Sequence, residues 1–152
     1  MKLKTAVILL AMLFVLPAVA QDMTNINFYA ELGDRPVATV GDAVKLFALT
    51  MGQKPRDFNT GKQYLVKEGV FPDKSYAESD PLRRRTAAYM AARYLKLGDS
   101  LMYSMFKNER YAVVACGANG IMPADKSEWD VLSGAELMEI VARVAERAGA
   151  EK

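Results

Sequence analysis

Apolar positions recur along this chain at helical spacing in three places. Val44, Phe47, Ala48 and Met51 form one stripe, Ala87, Met90, Ala91 and Tyr94 a second, and Leu137, Ile140, Val141 and Val144 a third. Each follows i, i+3, i+4, i+7, the pattern of a helix with one buried face. The stripes are offset by 43 and 50 residues, a period expected of stacked helical units. Two short passages repeat as well: Gly69-Val70-Phe71-Pro72 and Gly120-Ile121-Met122-Pro123 each follow a short helical pattern and precede a longer one. No stretch joins strict alternation to β-branched enrichment and hairpin turn residues. The expected fold is all-α, a helical bundle of about three short-helix/long-helix pseudo-repeats whose stacking supplies the core.

The punctuation of the chain predicts the elements. Residues 21–36 read as an irregular N-terminal segment, and residues 37–149 as a single all-α domain. Within it, Val40 to Met51 is the first helix and Asn59 to Glu68 a short one, with Gly69 at the left-handed position past its end. Residues 70–80 form a loop with a cap at Ser79 or Asp80. Pro81 then lies in the first turn of a helix running to about Leu97. Leu101 to Phe106 is a further apolar segment, and Tyr111 to Ala118 a short helix. Ser133 and Glu136 form a capping box for the last helix, which continues to about Ala148.

The first twenty residues change the charge picture. Lys2 and Lys4 precede an uncharged, mostly apolar stretch, and Pro17-Ala18-Val19-Ala20 ends in the small-x-small pattern that signal peptidase reads. Residues 1–20 are thus expected to be a cleaved signal peptide. The uncharged run from Thr5 to Gln21 is short for a retained span and contains Pro17. This leader carries two of the 20 basic residues and none of the 18 acidic ones, so the remainder is balanced at zero. That balance gives no global electrostatic case for nucleic acid or an anionic membrane surface.

With no His and a single cysteine, Cys116, the chain has no Ser-His-Asp or Cys-His arrangement, no ordinary zinc set and no intramolecular disulfide. Cys116 sits on an apolar helical stripe and reads as a small buried thiol. The acidic residues Asp73, Glu78, Asp80, Asp125, Glu128 and Asp130 lack calcium-loop spacing and read as loop charge. Chemistry by a carboxylate pair would need two of them about 5 to 9.5 Å apart. No cofactor or metal is indicated.

A short helix ending in Gly-Val or Gly-Ile, a polar loop, and Leu82 or Leu132 ahead of a second, Ala-rich helix resemble the S-layer homology domain of exported bacterial proteins. The resemblance covers about Asn59 to Leu97 and about Tyr111 to Ala148, with Val40 to Met51 similar to the second helix of a degenerate first repeat. It implies three repeats in a pseudo-threefold bundle and contact with an anionic cell-wall polymer through the arginine of a Thr-Arg-Ala-Glu-like motif. Leu82-Arg83-Arg84-Arg85-Thr86 keeps that arginine at Arg84 but not the Thr or Glu. Leu132-Ser133-Gly134-Ala135-Glu136 keeps a Ser and the Glu but loses the Arg, and Val40-Gly41-Asp42-Ala43 has neither Arg nor Glu.

Arg83, Arg84 and Arg85 are the sharpest functional signal, because three cations in a first helical turn oppose the helix dipole. Either Glu78 and Asp80 compensate them, or they form an anion site with the free N–H groups of the helix start. Trp129, the only tryptophan, either stacks on a sugar or folds back to plug the end of the bundle. The expectation is a non-catalytic, exported cell-envelope module, in the periplasm or at the cell surface, that binds cell-wall polymer or an envelope protein through Arg83, Arg84, Arg85 and Trp129. One alternative is a structural or assembly subunit with a protein partner and no glycan binding. The other, a small carboxylate-based hydrolase of wall glycans, lacks a visible motif.

Overall fold

The computed structural model describes residues 25–98 and 108–150. The described residues are helical, with no strand beyond two isolated bridges. α1 covers residues 25–33, α2 Val40–Thr50, α3 Phe58–Lys67, α4 Arg84–Tyr94, α5 Glu109–Ala118 and α6 Gly134–Ala150. None of these helices is long and apolar enough to cross a membrane. The apolar segment expected at Leu101 to Phe106 lies outside the described residues.

Local chemistry explains most of the helix ends. Thr39 and Asp42 close a capping box at the start of α2, the Asp42 amide donating to Thr39 Oγ1 at 3.2 Å and the Thr39 amide to Asp42 Oδ2 at 2.9 Å. Ser133 and Glu136 do the same for α6 at 3.2 and 2.9 Å, as the sequence predicts. Asp57 and Asn108 cap α3 and α5 by accepting from the Thr60 and Tyr111 amides. Past the short helices, Gly69 (φ 71°) and Gly120 (φ 68°) take the left-handed position. The residues behind them turn inward in the same way: Val70 and Phe71 both donate to the Leu65 carbonyl, and Ile121 and Met122 to that of Cys116.

The centre of the molecule is a closed ring of three main-chain hydrogen bonds. The Ala38 amide donates to Leu132 O at 2.8 Å, Leu132 to Leu82 O at 2.9 Å, and Leu82 to Ala38 O at 2.8 Å. All three residues are fully buried, so these bonds satisfy backbone groups that have no access to water. From this ring α2, α4 and α6 depart, each two residues downstream. α2 packs on α3 and α4 on α5, while α6 also touches α2 and α4. The start of α6 meets the end of α1 so closely that a Cβ on Gly134 would stand 1.8 Å from the Leu32 carbonyl oxygen. Leu32, Phe47, Leu65, Leu82, Met90, Leu132 and Leu137 fill the interior, each contributing about 1.5–3 kcal/mol by leaving water.

Three sequence expectations change. The segment 21–36 is not irregular throughout, because α1 occupies 25–33; its apolar positions Phe28 and Leu32 are four apart and both buried, too few to show a period in a polar stretch. Pro81 is not in a helical turn, and neither Ser79 nor Asp80 caps α4. Residues 81–83 stay extended to place Leu82 in the ring, with bridges from Pro81 to Thr39 and from Arg83 to Val131, so α4 begins only at Arg84. At its other end α4 stops at Tyr94 rather than near Leu97, and Lys96 (φ 52°) takes a left-handed conformation two residues beyond it.

Candidate functional site

The ring lays the loop 128–130 across the start of α4. There the Arg84 amide donates to Asp130 O at 2.8 Å and the Arg85 amide to Glu128 O at 3.0 Å. The next two amides, of Thr86 and Ala87, return to Arg83 O. The amides of residues 84 to 87 are therefore already committed, contrary to the expectation that the free N–H groups of the helix start would join the arginines in a grip. Its N-cap, Arg83, makes no side-chain cap bond, and the guanidinium groups are the side-chain donors of this turn.

The three arginines go to three environments. Arg83 is exposed, with its guanidinium 5.6 Å from the Trp129 ring centroid. Arg84 is only 2% exposed, and its Nη2 donates to Glu136 Oε1 at 3.1 Å. It is a core residue that ties α4 to α6, and it is withdrawn from the accessible ligand-binding set in which the sequence placed it. Arg85 is intermediate, with its guanidinium 4.3 Å from the Trp129 centroid. Trp129 is 55% exposed, so it does not plug the bundle. It presents an indole flanked by two guanidiniums, each such contact contributing about 0.5–1 kcal/mol at an exposed position.

Behind Arg85 lies a buried carboxylate that sequence reading passed over. Glu109, at the first position of α5, is 4% exposed. Its Oε1 accepts from Tyr76 Oη at 2.9 Å and Thr86 Oγ1 at 3.1 Å, and its Oε2 from Lys74 Nζ at 2.6 Å. Arg85 Nε stands 3.3 Å from Oε2 as an ion pair without hydrogen-bond alignment. Burial works against the charged form of Glu109, but the bonds from Lys74, Tyr76 and Thr86 outweigh it and hold the carboxyl below its ordinary value. Burial in turn raises the Tyr76 hydroxyl.

Among the described residues, the buried side-chain nitrogen and oxygen atoms without a hydrogen bond are Arg84 Nε, Arg85 Nε and Glu128 Oε2. All three belong to this one junction. Native interiors leave few such atoms, and departures from local consistency gather at functional sites. An uncapped helix, three cations against a dipole, unpartnered buried polar atoms and an exposed indole coincide here.

The remaining candidates behave as structure. Asp80 Oδ2 accepts from the Ala77 amide and Asp130 Oδ2 from the Ser127 amide, two equivalent turn bonds that explain these acidic loop residues. Cys116 is fully buried, its Sγ 3.4 Å from Ala88 O, and desolvation pushes its thiol up to about 12. No group of three or more metal-ligating side chains occurs among the described residues.

A concavity of about 590 Å³ opens elsewhere, between α1, α2 and the start of α3. Phe28, Arg35, Lys45, Arg56 and Phe58 line it, with Lys45 Nζ 3.8 Å above the Phe28 ring. Arg35 is committed there to Asp42, at 2.6 Å. These residues come from three separated segments, one of them read as irregular, so no sequence window could assemble them. Glu109 did carry a signal: a charge directly after the helix cap Asn108, on a helix otherwise apolar on that face.

Comparison with protein-family models, with curated proteins and with solved structures finds no match to this chain.

Proposed function

We propose that the chain is a non-catalytic, exported cell-envelope module, built as three S-layer-homology-like helix pairs, that binds anionic cell-wall polymer through Arg83, Arg85 and Trp129. The observation that carries this reading is the concentration of unmet polar capacity at the start of α4, beside an exposed tryptophan. Guanidiniums whose planes are held by an indole keep their outer N–H groups for carboxylate or phosphate oxygens, and the indole edge adds apolar contact with a sugar. The ring of Ala38, Leu82 and Leu132 supports the three-pair architecture, and the leader-like residues 1–20 support export.

The test is co-sedimentation of the chain from Gln21 onward with isolated cell-wall sacculi. Arg83→Glu and Trp129→Ala serve as variants, because both side chains are exposed and their removal leaves the core intact. Native chain in the pellet with both folded variants in the supernatant upholds the reading. A native chain that stays in the supernatant refutes it and favours an envelope protein as partner, to be sought by crosslinking in intact cells.

A further inference from the structure

The Trp129 face depends on a group that does not reach the surface. Arg85 touches both ends of the arrangement: its Nε is 3.3 Å from Glu109 Oε2 inside, and its guanidinium is 4.3 Å from the indole outside. We propose that Glu109 is a positioning residue for this face, holding Arg85 against Trp129 so that its outer nitrogens stay turned to an anionic ligand. The inference rests on the reading of Arg83, Arg85 and Trp129 as the binding face, and it identifies what orders that face.

The charge balance of the cluster supports this role. Glu109 carries one negative charge and faces two cations, Lys74 from the loop after α3 and Arg85 from α4, together with the Tyr76 and Thr86 hydroxyls. One positive charge is left over. Lys74 makes the 2.6 Å bond and its side chain is 54% exposed, whereas that of Arg85 is 21% exposed and Arg85 meets the carboxylate without a directed bond. The surplus charge therefore falls on Arg85, on the side where the indole and its neighbour Arg83 face solvent. A carboxylate at the end of a loop would wander with it; Glu109 instead starts α5, which packs along α4, the helix that carries Arg85. The distance between the anchor and the stacked guanidinium is thereby set by helix packing.

Trp129 is the only tryptophan, so its emission and its quenching by acrylamide report its stacking with Arg85 without any ligand. The experiment is a double-mutant cycle over Glu109→Gln and Arg85→Ala, read by Trp129 quenching and by sedimentation with sacculi, with circular dichroism as the check on folding. Lys74→Met is the companion variant. It removes another partner of Glu109 and disturbs the same buried carboxylate, but leaves Arg85 its anchor. The expected result is that Arg85→Ala alters Trp129 quenching in the native background and has no further effect beside Glu109→Gln. Lys74→Met should preserve the native quenching. Glu109→Gln should lower affinity for sacculi by about tenfold, the effect of one charge-assisted hydrogen bond to the polymer no longer being held in place. An Arg85→Ala effect that is as large beside Glu109→Gln as in the native chain overturns the proposal, and so does a Lys74→Met variant that frees Trp129 as fully as Glu109→Gln. If the quenching cycle shows coupling but the native chain does not bind sacculi, the positioning by Glu109 stands and the polymer-binding reading fails.

Discussion

Reversing the charge of Arg84 should strongly destabilise the domain rather than only silence a binding site. Its side chain is 2% exposed and its ionic partner Glu136 lies at 3.1 Å with a side chain 41% exposed. Water screens that pair, so its attraction is worth no more than about 1 kcal/mol. Arg84→Glu, however, turns a second carboxylate toward Glu136, a repulsion that the same water screens to about 1 kcal/mol. Burial of the new charge without a partner costs about 3–5 kcal/mol, and the favourable helix-start dipole returns at most about 1 kcal/mol. The sum, roughly 4–6 kcal/mol, compares with a total stability of about 5–15 kcal/mol for such a domain. Arg84→Met keeps the aliphatic packing, removes the unpartnered Nε and leaves Glu136 to water, so it should fall within about 1 kcal/mol of the native chain. Urea unfolding followed by circular dichroism gives both values from the midpoints at constant m. A folded Arg84→Glu chain with a native midpoint, or an Arg84→Met chain as weak as Arg84→Glu, would show that Arg84 is not the buried tie described above.

Gly134→Ala should destabilise the domain by about 3 kcal/mol or more, since the new methyl meets backbone at Leu32 that cannot rotate away. Gly149→Ala, in open space on the same helix, should be neutral or slightly stabilising in the same urea assay. Burial opposes the charge on Glu109, but its hydrogen bonds hold it below 4.5; the Ser133 amide does the same, against weaker desolvation, for Glu136. The stability they supply is therefore complete above the ordinary value and lost as pH falls through the folded ones; Glu109→Gln should flatten that acid limb, and an unchanged limb would contradict the assignment. Arg83→Ser gives α4 the side-chain cap it lacks, so it should raise stability by about 1 kcal/mol while weakening sedimentation with sacculi; a loss of stability would mean that Arg83 already serves the helix.

The helices were legible where period and punctuation agreed. Val44, Phe47 and Ala48 are buried on α2 as their spacing demands, and the Ser133–Glu136 box stands where the pattern placed it. Legibility failed where a residue's position is decided by distant chain. Leu82 looks like the leucine before a capped helix, yet what fixes the start of α4 is its bond to Ala38, 44 residues upstream. Arg84 looks as solvated as its two neighbours, and only the arrival of Glu136 on another helix explains its burial. The candidate site was half visible for the same reason. Arg83, Arg85 and Trp129 are polar or aromatic residues in prominent local settings, whereas Glu109 gains its meaning from Lys74, Tyr76 and Thr86, which no sequence spacing connects to it.

The three helix starts around the ring show how one junction could diverge without loss of the fold. α2, α4 and α6 begin with Thr39-Val40-Gly41, Arg83-Arg84-Arg85 and Ser133-Gly134-Ala135. At each, the first helical amide donates to a carbonyl from a neighbouring loop: Val40 to Asp80, Arg84 to Asp130, Gly134 to Arg35. Because main chain satisfies main chain there, the side chains are released from that duty. α2 and α6 spend the freedom on capping boxes, worth about 1 kcal/mol each. At α6 the further requirement is close approach, since only glycine fits under Leu32 O. α4 has neither cap nor close approach, and it carries three guanidiniums against its dipole. That sacrifice is tolerable because Glu136 from α6 pairs with Arg84 and Glu109 from α5, shared with Lys74, offsets part of the charge of Arg85, leaving Arg83, the surplus charge of Arg85 and the Trp129 stack as the part of the junction that serves nothing inside the molecule. A surface that the fold does not need, assembled by carboxylates that the fold does supply, is where selection for a ligand has room to act.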